Sequence, residues 1–343
     1  MAPYCAATTY FPSEIVILPQ LCCRPIMGYK KFVLKVLLFA LPWAVAWGIV
    51  EHKLGQIPNS YSKKRSNLEK QTDSIQALFL GTSHTYHGIY PDYFSCYGFN
   101  LADYLQTIYY DKRLTLKYID KMPRLKVVSI EVCYFSLYYQ IRHHPMESWR
   151  DYFYTQYWGV NYKDLPWGDP KRYSKIALYT PEKVKEYIRA GFKEDLAPDL
   201  TYKGYMPLDT LPAGKENKML TAEEGTNRIK LWQATIDTTQ YAAIVADLED
   251  FVKELRRRNI EVVFINTPAL LAVTNLCDAR IIQKNKATID DLCNRYNCKY
   301  FDYFTDSRFG PGDFSDVDHF NITGATHFSK VIDTEILGHY IMR

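Results

Sequence analysis

Neither sign of charge dominates this chain. Its 42 lysines and arginines face 38 aspartates and glutamates, a net charge of +4 over 343 residues. Such a balance gives no electrostatic reason for a nucleic-acid partner. None of the eight cysteines stands in a C-x-x-C pair, so zinc-knuckle and dithiol redox chemistry are not indicated. No internal repeat and no low-complexity tract is visible, which argues against a solenoid or a disordered array. Among the histidines, His84, His87, His143, His144 and His327 show no metal-ligand spacing. No metal and no cofactor is expected.

What is abundant is aromatic: 29 tyrosines and six tryptophans. Large amphipathic rings either fill a core and its rim or line a groove that binds sugars by stacking.

One stretch is not globular in character. Residues 32–50, "FVLKVLLFALPWAVAWGIV", are apolar except for Lys35. As a helix they extend about 28 Å, close to the hydrocarbon thickness of a bilayer. Lys35 sits near one end and can snorkel, and Pro42 is tolerable in a membrane helix. No small-x-small cleavage site follows, so an uncleaved single-pass anchor is expected. Lys30 and Lys31 precede it, while Lys53, Lys63, Lys64 and Arg65 follow, so the positive-inside rule does not choose an orientation. Residues 1–31 form an N-terminal segment. "MGYKKFVLKVLLF" from Met27 reads as the start of a signal anchor, so residues 1–26 read as an upstream extension. Residues 51–74 are polar and charged, a stalk or short helix leading to a domain over 75–343.

Within that domain strands alternate with helices. "IQALFLG", "LKVVSIEV", "IEVVFIN" and "KYFDY" read as strands. "LQTIYYDKRLTLKYIDKM", "TTQYAAIVADLEDFVKELRRRN", "DARIIQKNKATIDDLCNRYN" and "TGATHFSKVIDTEILGHYI" read as amphipathic helices. The rhythm predicts a three-layer α/β/α fold around a parallel sheet. It fails over residues 136–228, an aromatic-rich insertion that reads as a cap over the strand ends. Five cysteines follow the anchor; Cys293 and Cys298 could close a short loop, or all five could be buried thiols.

In an open parallel sheet, ligands bind beyond the carboxyl ends of the strands. Ser83, in "FLGTSH", lies just past the first of them. A serine hydroxyl needs a base within hydrogen-bond reach and a carboxylate to orient that base. "FSDVDHFNITGATHF" supplies one such unit, with Asp316 and His319 in a D-x-x-H spacing before the last helix. Asp318 is adjacent to His319, and its side chain is expected to point elsewhere; Asp313 is a weaker alternative.

These two blocks resemble the first and last motifs of the SGNH (GDSL-like) hydrolase superfamily. The match is closest to its membrane-anchored members of teichoic-acid D-alanylation and polysaccharide O-acetylation. The resemblance implies Ser83 as nucleophile, His319 as general base and Asp316 as its orienting partner, in a flavodoxin-like sheet. Two departures stand out. "NLADY" lacks the glycine of the second block, and "IEVCYFS" lacks the asparagine of the third, both oxyanion donors in the superfamily. Asn100 or Gln106 is the expected substitute, beside the N–H of Ser83. Trp158 and Trp167 are the expected stacking platform for a glycan. The expected function is therefore an anchored serine esterase or O-acyltransferase. It would act on an envelope glycan or acylated small molecule, on the extracytoplasmic side, with a membrane-embedded acyltransferase as a further partner. The alternative is an inactive relative that binds polysaccharide or a membrane partner.

Overall fold

The computed structural model describes residues 27–208 and 220–341. The extension over 1–26, with Cys5, Cys22 and Cys23, lies outside them. The chain divides into two units at Val50. The first contains most of helix α1 (Met27–Gln56), whose stretch Gly28–Gln56 is long and apolar enough to cross a membrane. Its side chains Leu37, Phe39, Trp43 and Trp47 are all exposed.

The second unit is built on a five-stranded, wholly parallel sheet in the order β2-β1-β3-β4-β5. The strands are β1 (Ala77–Leu80), β2 (Gly98–Asn100), β3 (Val127–Glu131), β4 (Glu261–Asn266) and β5 (Lys299–Asp302). The central strands are apolar runs rather than alternating ones because both faces are covered. Leu78, Leu80, Val128, Ile130, Val262 and Phe264 face one layer. That layer is formed by α4 (Ile108–Tyr118), α7 (Tyr241–Arg257) and α8 (Ala279–Tyr296), through Leu114, Leu248, Phe251 and Ile289. Ala77, Phe79, Val127, Val263 and Ile265 face the other, where Phe328 and Ile332 of α9 (Ile322–Ile332) pack. The fold is α/β, with helices on both faces of a parallel sheet.

Residues 51–74 are not a free stalk. Helix α2 (Ser60–Glu69) starts in a reciprocal cap: the Asn59 side chain accepts the Ser62 N–H and Ser62 Oγ accepts the Asn59 N–H, each at 3.0 Å. Tyr61, Lys64 and Leu68 are buried in the domain. The Lys64 ammonium donates to the Ala102 carbonyl and lies 3.8 Å from the Tyr86 ring centroid. Burial pushes it down to about 8, against the pull of Asp103. Two short elements escape periodicity analysis. They are β2, only three residues long, and α3 (Ser83–Gly88), a six-residue helix with every side chain buried.

The insertion differs from the expected glycan-stacking cap. Tyr138, Tyr139, Tyr152, Phe153, Tyr154, Tyr157, Trp158 and Tyr162 are all buried in the main hydrophobic cluster. Tyr154 stacks on Tyr110 of α4 at 3.7 Å between centroids, and Tyr61 meets Tyr154 edge-on at 5.1 Å. Most rings of this stretch are core, while Trp149, Trp167, Tyr173 and Tyr202 are exposed. The nine-residue helix α5 (Pro181–Arg189) lies within it, and helix α6 (Ala222–Thr235) starts in it and runs past residue 228.

Asp111 on α4 is a buried acid. Its Oδ1 accepts from Gln106 Nε2 at 2.6 Å. Burial raises it to about 8, with the Glu131 charge pushing the same way against the Gln106 hydrogen bond. The folded state therefore holds a proton that the unfolded chain releases near pH 4, and this contribution to stability is lost as pH rises through about 8. Asp111→Asn keeps the acceptor and removes the titration. We expect it to melt close to the parent protein at pH 5 and at clearly higher temperature at pH 9. Equal melting at pH 9 would show that Asp111 is ionised at no cost.

Candidate active site

The site begins with a backbone requirement. β1 and β3 are parallel neighbours with Leu80 opposite Ile130, so Gly81, just past β1, comes against Glu131, the last residue of β3. Gly81 has φ +141°, and a Cβ there would stand 2.4 Å from both Cβ and Oε2 of Glu131. Only glycine lets the chain pass so close to a buried carboxylate.

Glu131 then organises the turn. Its Oε2 accepts the Thr82 N–H at 2.8 Å and the Thr85 N–H at 3.2 Å, and its Oε1 accepts the Thr82 hydroxyl at 2.8 Å. Burial opposes its charge, but hydrogen bonds from His84, Thr82 and Thr85 and the His84 charge hold it below the usual carboxylate range. Thr82 is the N-cap of α3 and Ser83 its first residue. Turn and helix together fix the serine at the rim of the sheet.

The loop before α9 comes to the same place. His319 Nε2 lies 2.8 Å from Ser83 Oγ. On the other side of the ring, Nδ1 lies 2.9 Å from Asp316 Oδ2 and 3.1 Å from Oδ1. The carboxylate also accepts the N–H groups of Asp318 and His319, at 3.0 and 2.8 Å, which closes the D-x-x-H turn. With Nδ1–H directed at Asp316, the Nε2 lone pair is left to accept the serine proton. Burial works against the Asp316 charge, yet His319 and Arg228 hold this carboxyl far below its usual range.

Asp318 departs from expectation by turning inward. Its Oδ2 lies 3.0 Å from His84 Nε2, while its Oδ1 lies 3.1 Å from Arg228 Nη1 and 3.3 Å from His319 Nδ1. The Oδ1 contacts are ion contacts without aligned hydrogen bonds. His84 Nδ1 meets Glu131 Oε1 at 3.1 Å, so this ring bridges two fully buried carboxylates. Burial would neutralise His84, but hydrogen bonds to Asp318, Cys133 and Glu131 hold it well above the ordinary imidazole range. Arg228, on α6, also reaches Asp316 Oδ2 at 3.0 Å. His87 takes the opposite state. Its Nδ1–H donates to the Met206 carbonyl at 2.8 Å, and burial, with His319 beside it, pushes it down to about 3. Asp313 serves elsewhere, accepting the Gly310 N–H at 2.9 Å.

Four expected substrate-side residues are placed differently. The Asn100 amide donates to the Thr85 and Ile89 carbonyls, each at 2.8 Å, and its oxygen accepts the Ala102 N–H. It ties β2 to the end of α3 and has no donor left for an oxyanion. Gln106 Nε2 is engaged by Leu101 and Asp111, and its oxygen by the Tyr154 hydroxyl at 2.9 Å. Trp158 is 1% exposed and packs edge-on to Tyr118, so no glycan can stack on it. Trp167 is 81% exposed, and its carbonyl accepts the Tyr173 hydroxyl at 2.8 Å. Cys293 and Cys298 are free thiols, as are Cys96, Cys133 and Cys277.

Two groups could in composition hold a cation: His84 with Asp318 and His319, and His84 with Glu131 and Cys133. Both nitrogens of His84 already face carboxylates, and those of His319 face Ser83 and Asp316. A metal would have to break that array, so the groups read as a hydrogen-bonded ion network. Two hollows, of about 480 Å³ beside Tyr109 and Arg113 and about 360 Å³ beside Leu271 and Phe309, are lined by neither Ser83 nor His319.

No family model matches the chain, and no curated protein matches it. Among solved structures, it is similar to a Bacteroides fragilis protein provisionally assigned as an acylhydrolase. The identity is 11% and the TM-score 0.38, over 80% of this chain and 94% of the other.

The Gly81–Glu131 approach gives a direct test. Gly81→Ala adds a methyl where Glu131 already stands, at a φ that side chains resist. We expect a loss of about 2–4 kcal/mol in denaturant unfolding. A variant as stable as the parent would mean that the turn can move off Glu131.

Proposed function

We propose that this protein is a membrane-anchored serine enzyme that cleaves or transfers ester-linked acyl groups through an acyl-serine intermediate. The observation that carries the reading is the 2.8 Å contact of Ser83 Oγ with a His319 ring whose far nitrogen is held by Asp316. That is the nucleophile–base–orienter order acyl transfer needs.

In this reading His319 Nε2 takes the Ser83 proton as Oγ attacks the acyl carbon. Asp316 steadies the imidazolium. Collapse of the tetrahedral intermediate breaks the bond to the leaving alcohol, which receives the proton from Nε2. Water or an acceptor hydroxyl then gives its proton to the same nitrogen and attacks the acyl carbon; collapse of this second intermediate breaks the bond to Oγ, which takes the proton back from Nε2. The oxyanion donor we assign is the Ser83 N–H; Asn100 and Gln106 are spent on structural bonds.

Helix α1 supports anchoring, and the extracytoplasmic side suits an envelope-glycan acceptor handed its acyl group through a membrane-embedded acyltransferase. Tyr104, 40% exposed and edge-on to His87 at 5.0 Å, is the ring we place nearest an incoming acceptor.

A fluorophosphonate probe should label the full-length protein at Ser83, and Ser83→Ala should abolish labelling. Ester turnover should fall by about 10⁴–10⁶ in Ser83→Ala and by about 10⁴ in Asp316→Asn. An unlabelled parent protein would favour the inactive, polysaccharide-binding reading.

Transfer and hydrolysis separate on the acceptor. A transferase excludes water from the place its acceptor occupies. Small-ester turnover should therefore be low alone and rise when an envelope oligosaccharide is supplied, with acylated glycan as product by mass spectrometry. Equal rates with and without glycan would leave a plain esterase.

A further inference from the structure

Resting on that reading, we infer that Arg228 and His84 are positioning residues. They hold the Asp316–His319 pair and set its charge through Asp318, so that the last helix of the insertion, α6, completes the site.

The array is continuous. Glu131 meets His84, His84 meets Asp318, Asp318 meets Arg228, and Arg228 meets Asp316, at 3.1, 3.0, 3.1 and 3.0 Å. Carboxylates and cations alternate along it, and it ends on the His319 ring. Arg228 spans the two aspartates with separate nitrogens, Nη2 on Asp316 and Nη1 on Asp318, a geometry a lysine cannot reproduce. Four residues along α6, Trp232 packs edge-on to His84 at 5.7 Å. One helix face thus grips the network at two points.

The groups around His319 come from every neighbouring element. Asp316 and Asp318 are on its own loop, Arg228 on α6, and His84, with its ring centroid at 5.2 Å, on α3. His87 of α3 stands edge-on at 5.6 Å and is neutral. Glu131 of β3 acts through His84, and Tyr104 beyond β2 lies against His87. Two carboxylates reach the ring directly, and the cations Arg228 and His84 offset them. Removing a cation from beside the ring favours its protonated form.

The test follows the His319 ring by NMR in full-length protein labelled at histidine, which needs no turnover, alongside the pH dependence of fluorophosphonate labelling. Arg228→Gln should raise the His319 midpoint by on the order of one pH unit. Labelling should slow about tenfold below the new midpoint and recover above it. Arg228→Lys keeps the charge but cannot span both aspartates, so its midpoint should move in the same direction by less than that of Arg228→Gln. Asp318→Asn removes a negative charge with the shape kept and should lower the midpoint. It also serves if Arg228→Gln does not fold. The double variant His84→Gln/Asp318→Asn loses one charge of each sign and should return towards the parent midpoint. Unshifted midpoints in Arg228→Gln or Asp318→Asn would overturn the inference, whatever their labelling rates. Absence of labelling in the parent protein would overturn the serine-enzyme reading alone, because the NMR midpoints are read independently.

Discussion

The site depends on a carboxylate buried at the end of a strand. Glu131 has no exposed surface to speak of, and an unpaired charge there would cost several kcal/mol. The fold meets that demand with donors taken from one turn: two backbone N–H groups, the Thr82 hydroxyl and the His84 ring. Satisfying Glu131 and shaping the serine turn are therefore one event. Gly81 gives the clearance, Thr82 caps the helix, and Ser83 emerges as its first residue. The same logic extends across the chain, since the His84 ring, with Nδ1 on Glu131, has a second buried nitrogen to satisfy and finds Asp318 for it. Residues more than two hundred positions apart are joined because no member of the array can be left alone in the interior.

This explains which parts of the molecule were legible. The parallel sheet was visible because strands buried on both faces are continuous apolar runs, and "LKVVSIEV" and "IEVVFIN" state that directly. That Ser83, His319 and Asp316 come together was legible because Ser83 follows a strand end and D-x-x-H spacing lets one turn hold a carboxylate against an imidazole. β2 was not, since three residues carry no period. Lys64 looked like part of a solvated charge run, yet its ammonium finds the Ala102 carbonyl and the Tyr86 ring. Asn100 and Gln106 looked like spare donors because sequence does not reveal which carbonyls a short helix leaves open. Asn100 is consumed by those of α3.

Glu131 lay between these cases. An acid ending a buried strand beside the serine strand is an anomaly in "VVSIE", and buried acids require partners. A glycine and a histidine at the facing strand end were candidates. Arg228 had no comparable signal. It sits on an amphipathic helix after a stretch without rhythm, and only the tertiary fold brings it to the D-x-D-H loop.

The insertion has a different role from that of a loose cover. Its rings over residues 138–162 extend the hydrophobic cluster outward from α4 and are packed as core. A side chain on a helix packed into that core can carry precisely placed charge. Arg228 and Trp232 stand one turn apart on α6, and Trp232 with Ile229 is buried in the core. The position of that helix fixes how far Asp316 and Asp318 can relax. The reach of the guanidinium, near 3 Å to each carboxylate, ties packing in the insertion to electrostatics at His319. Repacking this core would therefore act on the His319 ring through charge placement, even where no altered residue touches Ser83 or His319.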